Sequence, residues 1–310
     1  MTVLAPDAAV DRSAGAGAAK PRRRAAGWLG FTPFAVYTLL FLAVPTVLAV
    51  WSGLTDEKGA FTLANFGAYA NPTILRAFGN SIVLSLATAV ASAVIGAVIC
   101  VALLAVNPTG FTRVVADAAA SVFAQFGGVM LAFAFVATIG TTGLLTLFLH
   151  QAFGFDINSL ALALDKTAGP LINQVSGMFF VYVYFSVPLM VIAFMPALVG
   201  LRPQWGEAVA TLGGSRWSYW LHVGFPVLAP SFFGSMILVF AGAFSSYATA
   251  SALTNTGVII PIVMQQDLSS ETLPGIAHVP GVLAIGMIVV MALVMWLYSL
   301  LQRRAARWQR

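Results

Sequence analysis

Six long stretches of this 310-residue chain contain no Asp, Glu, Lys or Arg, and each is apolar around its whole circumference. A bilayer core about 30 Å thick is crossed by a helix of roughly 20 apolar residues. Backbone groups in hydrocarbon must be paired within their own segment, so each stretch is predicted to be a transmembrane helix. The six are Trp28 to Trp51, Gly79 to Val106, Ala118 to Gly140, Gln174 to Gly200, Val227 to Thr254 and Pro280 to Leu301.

The composition agrees with an all-α integral membrane protein of about six spans. Hydrophobic residues make up 60% of the chain and charged residues 8%, against about a quarter charged in soluble domains. The single cysteine, Cys100, excludes an internal disulfide and is predicted to be a small buried hydrophobe. His150, His222 and His278 fall in separate segments, so we predict neither a metal site nor a cofactor.

The segments outside the spans are tails and loops. Residues 1–27 are predicted to be a disordered cytoplasmic tail, residues 28–302 the transmembrane domain, and residues 303–310 a basic cytoplasmic tail. The basic run at residues 21–24 resembles the start of a signal peptide, but the first span is too long for one, so it is predicted to be uncleaved. Leu144 to Phe155 is too short to span and is predicted to lie along the outer interface.

The basic residues indicate how the chain is oriented. With the N-terminus in the cytoplasm, 12 of the 15 basic residues lie on the inner side and 3 on the outer side, as the positive-inside rule requires. The net charge of +5 therefore reflects topology and not nucleic-acid binding. The outer three are Lys58, Arg76 and Lys166; the inner twelve are Arg12, Lys20, Arg22, Arg23, Arg24, Arg113, Arg202, Arg216, Arg303, Arg304, Arg307 and Arg310.

One inner loop, residues 201–226, is long, and its sequence predicts two short helices. Glu207 to Leu212 favours a short helix with small side chains. Gly213-Gly214 permits a sharp turn, since glycine takes positive φ. Ser215 is predicted to cap a second short helix, and Pro226 suits the first turn of the next span.

The same loop carries a recognisable spacing. Glu207-Ala208-Val209 is followed after three residues by Gly213, after nine more by Val223, and then by Gly224 and Phe225-Pro226. This resembles the signature of permease subunits of ABC importers: Glu-Ala-Ala, three residues, Gly, nine residues, Ile, one residue, Leu-Pro. The resemblance implies the type I permease fold of the methionine, maltose and molybdate systems. The departures are conservative, with Val209 for Ala, Val223 for Ile and Phe225 for Leu.

This resemblance implies a loop that seats in a groove of a cytoplasmic ATP-hydrolysing subunit and drives alternating access. It implies a second permease subunit, identical or paralogous, an external solute-binding protein and a bacterial inner membrane. Glu207 has an alternative role, stabilising its own loop at a helix N-terminus or by pairing with Arg216. The residues that the resemblance assigns to coupling are Glu207, Ala208, Ala210, Gly213, Arg216 and Pro226.

The branch and the solute follow from finer resemblances. Leu212 stands where the sugar-importing branch usually has Asp, which is similar to the polyamine, iron, sulfate and phosphonate branch. A polyamine-like cation is the predicted solute, with phosphonate or iron as alternatives. Acidic residues of the outer loops agree with a cation, although docking of a binding protein explains them equally: Asp56, Glu57, Asp156, Asp165, Asp267 and Glu271.

Polar residues within spans mark a candidate solute path, because they are costly in lipid. The alternative is that they hydrogen-bond to a neighbouring helix, and that Pro188 only kinks its helix. The candidates are Tyr182, Tyr184, Pro188, Ser245, Ser246 and Tyr247.

Other function classes fit the sequence less well. A self-contained secondary transporter, the main alternative, generally places ionisable groups mid-membrane, and the six stretches have no acidic residue, lysine or arginine. A membrane enzyme needs a nucleophile–base pair or clustered ligands. The sequence also has no Gly-x-x-x-x-Gly-Lys-Ser/Thr loop, so ATP would be hydrolysed by another chain. We predict a transporter subunit and not an enzyme.

Overall fold

The computed structural model describes residues 25–56, 58–107, 110–155, 171–254, 256–269 and 278–306. These residues are helical or irregular, with one isolated bridge between Thr55 and Phe61. The helices are α1 Ala25–Thr38, α2 Val44–Gly53, α3 Pro72–Leu104, α4 Phe111–Gln125, α5 Gly128–Ile139, α6 Leu144–Phe153, α7 Val175–Val199, α8 Pro203–Thr211, α9 Arg216–Tyr219, α10 Phe225–Phe244, α11 Ala248–Leu253, α12 Ile260–Ser269 and α13 Val279–Ala306.

Six helical segments are long and apolar enough to cross a membrane, which confirms the predicted number of spans. They are Phe31–Gly53, Pro72–Leu104, Gly128–Phe153, Val175–Val199, Arg216–Phe244 and Val279–Leu300. Of the predicted tails, residues 1–24 and 307–310 lie outside the described residues. Helix α1 begins at Ala25, and the division into tails and a transmembrane domain stays a prediction.

Two predicted spans are interrupted, so the prediction of continuous helices was wrong there. In the third, α4 ends at Gln125 and α5 begins at Gly128. In the fifth, α10 ends at Phe244 and α11 begins at Ala248. We predicted that Leu144 to Phe155 lies along the outer interface. In the structure α5 and α6 together form the third segment long enough to span a membrane, Gly128–Phe153.

Proline explains two widened helical turns. A π-helical segment covers Leu39–Ala43 just before Pro45, and another covers Trp220–Gly224 just before Pro226. Proline has no N–H and its ring clashes with the carbonyl four residues earlier, and a local π turn makes room for it. The second segment joins α9 to α10, so the helix is continuous where we predicted a separate short helix before the span.

The chain divides into two compact units, residues 1–48 and 49–310. In the second unit, α3 packs against α7 and α10. Gly96 lies against Met190, and the Cys100 Sγ lies 3.7 Å from the Val191 carbonyl oxygen, so α3 and α7 run parallel. Cys100 is fully buried, as predicted.

The end of α2 and the start of α13 approach closely through glycines. We expect Gly53→Ala to lower the midpoint of thermal unfolding in detergent, because the new Cβ would lie 2.6 Å from the Gly281 carbonyl carbon. Forced overpacking of this kind costs about 1–3 kcal/mol. Gly79→Ala in α3 is the matched control, since its Cβ would meet nothing within 4 Å. Equal midpoints for the two variants would contradict the close approach.

Candidate functional site

The first candidate site is an exposed helical turn after α7, which we call the elbow, residues 203–226. Helix α8 begins with Pro203 at its first turn and ends in a turn at Gly213, whose φ is +77°. The Gly213 N–H donates to the Ala210 carbonyl at 3.0 Å, and the Gly214 N–H to the Val209 carbonyl at 2.9 Å. Only glycine adopts this left-handed conformation without strain, so the predicted sharp turn is present.

Ser215 starts the second half of the elbow. Its side-chain oxygen accepts a hydrogen bond from the Ser218 N–H at 3.2 Å and caps α9, as predicted. Gly214 is held against Val209, because a Cβ on Gly214 would lie 2.5 Å from the Val209 Cγ1. The angle between α8 and α9 is therefore set by local contacts of the elbow.

The outward surface of the elbow includes the residues that sequence analysis assigned to coupling, together with other exposed side chains such as Leu212 and Trp217. Leu212 at its tip is 87% exposed, although it is apolar. An apolar side chain this exposed at a turn suits contact with another protein better than contact with water. All six predicted coupling residues are also exposed: Glu207, Ala208, Ala210, Gly213, Arg216 and Pro226.

The alternative role of Glu207 finds no support in the geometry. Glu207 lies beyond the first turn of α8, which has no acidic residue. Among the described residues, the ion pair of the chain is Arg113 with Asp117, and Glu207 does not pair with Arg216. The Glu207 carboxylate is therefore presented outward without an ion-pair partner in this part of the chain.

The second candidate site is formed where the two interrupted spans meet, and we call it the node. It comprises the breaks at 126–127 and 245–247 together with Tyr182, Tyr184, Pro188 and Thr249. The Gly128 N–H donates to the Thr249 hydroxyl at 3.0 Å. The Tyr182 hydroxyl donates to the Ser246 carbonyl at 3.0 Å. The first break thus donates a hydrogen bond to a distant helix, and the second accepts one.

These two bonds are needed because irregular backbone at membrane depth is tolerated only where protein or water satisfies it. An unpaired amide in an apolar environment costs several kcal/mol. Tyr182 and Thr249 are both fully buried, and their hydroxyls bond to neighbouring helices. Gly128 has φ +73°, which a side chain would strain.

Helix α7 supplies the remaining wall of the node. The Tyr184 ring packs edge-on against Phe123 of α4 and Phe135 of α5, with ring centroids 6.0 Å and 5.6 Å apart. It therefore bridges the first break. Pro188 has no N–H to give to the Tyr184 carbonyl. The backbone hydrogen bonding is therefore interrupted at the node in all three surrounding elements: between α4 and α5, within α7, and between α10 and α11.

Uncharged polar groups remain exposed at the node. Ser245, Tyr247 and Gln125 are exposed, and Tyr184 is 39% exposed. The Ser245 hydroxyl donates to the Ala241 carbonyl at 2.9 Å, which leaves its oxygen free to accept. Of the six residues predicted for a solute path, Tyr182 is hydrogen-bonded to the Ser245–Tyr247 segment, and the role of all six in transport stays a prediction.

Sequence analysis missed Gly128 and Thr249. The Gly127-Gly128 pair inside an apolar run was the signal available for a break, whereas nothing local to Thr249 indicates its partner 121 residues away. Among the described residues there is no group of three or more His, Cys, Asp or Glu side chains that could hold a metal ion.

Comparisons with known proteins extend this description. No protein-family model and no curated protein matches the chain. A chain of a bacterial ABC transporter involved in the import of the acidic polysaccharide alginate is similar, with a TM-score of 0.65 and 14% identity over 89% of this chain and 96% of that one. A chain of the bacterial alginate ABC transporter in complex with alginate pentasaccharide-bound periplasmic protein has a TM-score of 0.69 and 13% identity, over 91% and 95%. The chain therefore has the all-α membrane fold of these transporter chains.

The bond between the two breaks can be tested directly. Thr249→Val keeps the side-chain shape but removes the acceptor of the Gly128 N–H, which costs about 1–3 kcal/mol for an unsatisfied buried donor. We expect a lower midpoint of thermal unfolding and faster hydrogen exchange of the Gly128 amide. Thr249→Ser keeps the hydroxyl and is the control. Equal exchange rates at residue 128 in the Val and Ser variants would show that the bond does not hold the break.

Proposed function

We propose that this chain is the permease subunit of an ATP-driven ABC importer and forms half of the path for a small polar solute. The observation that carries the proposal is the elbow. Its Glu207–Pro226 spacing resembles the permease signature, it is exposed, and its Gly213 adopts the conformation that requires glycine. The fold shared with chains of alginate ABC transporters supports it independently.

The helix that follows the elbow suggests how force reaches the path. Helical structure is continuous from Arg216 to Phe244 and ends at the Ser245–Tyr247 break of the node. A displacement of the elbow by a closing pair of ATPase subunits would therefore move one wall of the node. In this proposal Ala208 and Ala210 allow close approach to the ATPase, and Leu212 inserts an apolar contact.

The partners and orientation complete the proposal. The elbow faces the cytoplasm of a bacterial cell, both termini are cytoplasmic, and the 12-to-3 distribution of basic residues supports this orientation. A second permease subunit, identical or paralogous, contributes the other half of the path. An external binding protein delivers the solute. The described residues offer nothing that favours a self-contained secondary transporter.

The solute class rests on the node. Its exposed groups are hydroxyl, phenol and amide groups, which hydrogen-bond to polar solutes of many kinds. The polyamine-like cation stays a prediction that rests on the branch resemblance at Leu212, and the outer-loop acids support it only weakly. The structure describes Asp56 and Asp267 of these acids, and burial raises the pKa of Asp267.

The elbow can be tested with two matched glycines. Gly213 and Gly59 both have positive φ, +77° and +76°, and a Cβ at either would meet nothing within 4 Å. We expect Gly213→Val to reduce the ATPase subunit that co-purifies with the chain from its native membrane, because strain of about 1–2 kcal/mol reorients the elbow. Gly59→Val carries the same strain outside the elbow and should leave co-purification unchanged.

Two outcomes would contradict the coupling role of the elbow. One is an equal yield of ATPase subunit with both valine variants. The other is the absence of any ATPase subunit from preparations of the unaltered chain, with solute uptake by the chain alone in liposomes. The second outcome would favour the secondary transporter.

The solute path can be tested by thiol labelling, since Cys100→Ala removes the one native cysteine. In that background we expect Ser245→Cys to react with a water-soluble methanethiosulfonate reagent in membranes, because only a hydrated thiol ionises and reacts. Ser186→Cys in α7 is the control, since Ser186 is fully buried and should stay unlabelled. A Ser245→Cys variant that does not react would place this residue in lipid and exclude it from the path.

A further inference from the structure

A cavity of about 430 Å³ lies at the end of the bundle that carries the elbow. Its walls come from the ends of α3 and α7, the start of α4, and Tyr219 and Trp220 of the elbow. The cavity is therefore where the elbow meets the spans. Neither the elbow surface nor the node includes it.

An ion pair lies in this cavity. The Arg113 Nε donates to the Asp117 Oδ2 at 2.9 Å, and the Arg113 Nη1 donates to the Leu103 carbonyl at 3.3 Å. The Arg113 side chain is 13% exposed and that of Asp117 is 52% exposed. These contacts fix the guanidinium in place and leave further donors of Arg113 and one carboxylate oxygen of Asp117 unused.

Two aromatic donors line the same cavity. The Tyr219 hydroxyl and the Trp220 indole N–H have no hydrogen-bond partner among the described residues, and both side chains are half-buried. Tyr and Trp side chains favour the level of the lipid headgroups, where one end is apolar and the other is wet. The cavity thus combines three sources of hydrogen-bond donors with one carboxylate.

The rest of the wall is aliphatic. It comes from the ends of two helices of span length, which a bilayer would place near its surface. An apolar wall beside a polar ion pair fits a ligand that has both a charged head and hydrocarbon. The residues are Leu103, Leu104, Val106, Leu198, Val199 and Leu201.

We propose that this cavity binds a zwitterionic phospholipid with an ethanolamine headgroup. The phosphate accepts hydrogen bonds from Arg113, Tyr219 and Trp220, the ammonium donates to Asp117, and the acyl chains lie on the aliphatic wall. An anionic lipid without the ammonium would leave Asp117 facing the phosphate charge. A choline headgroup has no N–H to donate to Asp117.

Such a lipid would join the elbow to the corner between α3 and α4, because Tyr219 and Trp220 belong to one and Arg113 and Asp117 to the other. The binding itself does not depend on the proposed transport function. If that function holds, the lipid adjusts how firmly the elbow is attached to the spans.

The experiment uses the purified full chain in detergent with an equimolar mixture of phosphatidylethanolamine, phosphatidylcholine and phosphatidylglycerol of identical acyl chains. Native mass spectrometry measures which lipids remain bound. We expect the ethanolamine lipid to be retained preferentially. Asp117→Asn should reduce its preference over the choline lipid about tenfold, as for the loss of one charged hydrogen bond. Asp56→Asn changes a carboxylate that does not line the cavity and should leave the preference unchanged.

A second variant keeps the test valid if Asp117→Asn loosens the corner between α3 and α4. Leu104 is part of the wall and is 37% exposed, so Leu104→Trp should fill the cavity while leaving the ion pair intact. Retention of all three lipids is then expected to fall. An unchanged ethanolamine preference in Asp117→Asn, together with unchanged lipid retention in Leu104→Trp, would overturn the proposal.

Soluble phosphoethanolamine distinguishes a lipid from a free zwitterion. We expect it to displace the bound lipid only weakly, because it makes no contact with the aliphatic wall. Displacement at concentrations equal to those of the lipid would assign the cavity to a soluble zwitterion and overturn the lipid proposal.

Discussion

The structure depends on one constraint, that every backbone N–H and C=O at membrane depth needs a hydrogen-bond partner where lipid offers none. Continuous helices meet it within themselves. The two interrupted spans meet it through side chains of other helices, Tyr182 for the Ser246 carbonyl and Thr249 for the Gly128 N–H. The irregular positions are therefore also positions where helices are joined by hydrogen bonds.

Proline affects the backbone hydrogen bonding of helices differently at two places. Before Pro226 a π segment preserves helical continuity, so the elbow and the span that follows form one mechanical element. Within α7, Pro188 interrupts the bonding beside the node without ending the helix. An element that stays continuous transmits displacement, and one with unsatisfied carbonyls yields more easily. The combination suits a protein whose two ends must change in concert.

The elbow and the node differ in how their groups are used. At the elbow the residues predicted for coupling are exposed and the local turn is held by its own backbone. At the node the buried hydroxyls are engaged by the breaks, and only uncharged groups such as Ser245, Tyr247 and Gln125 remain exposed. The described residues of the node carry no charge that could pair with a charged solute. Moving such a solute from water to the node would therefore be costly.

The features that the sequence by itself determined are those set by interactions between residues close together in the chain. Apolar length determines the six spans, glycine the turn at Gly213, and a serine hydroxyl the cap at Ser215, because each effect acts within a few residues. Only the tertiary structure decided where spans are interrupted, that Tyr182 and Thr249 are committed to those breaks, and that Arg113 and Asp117 meet Tyr219 and Trp220 in a cavity. An apolar run can break only where a partner supplies the missing hydrogen bond, and such partners lie on helices far apart in the chain.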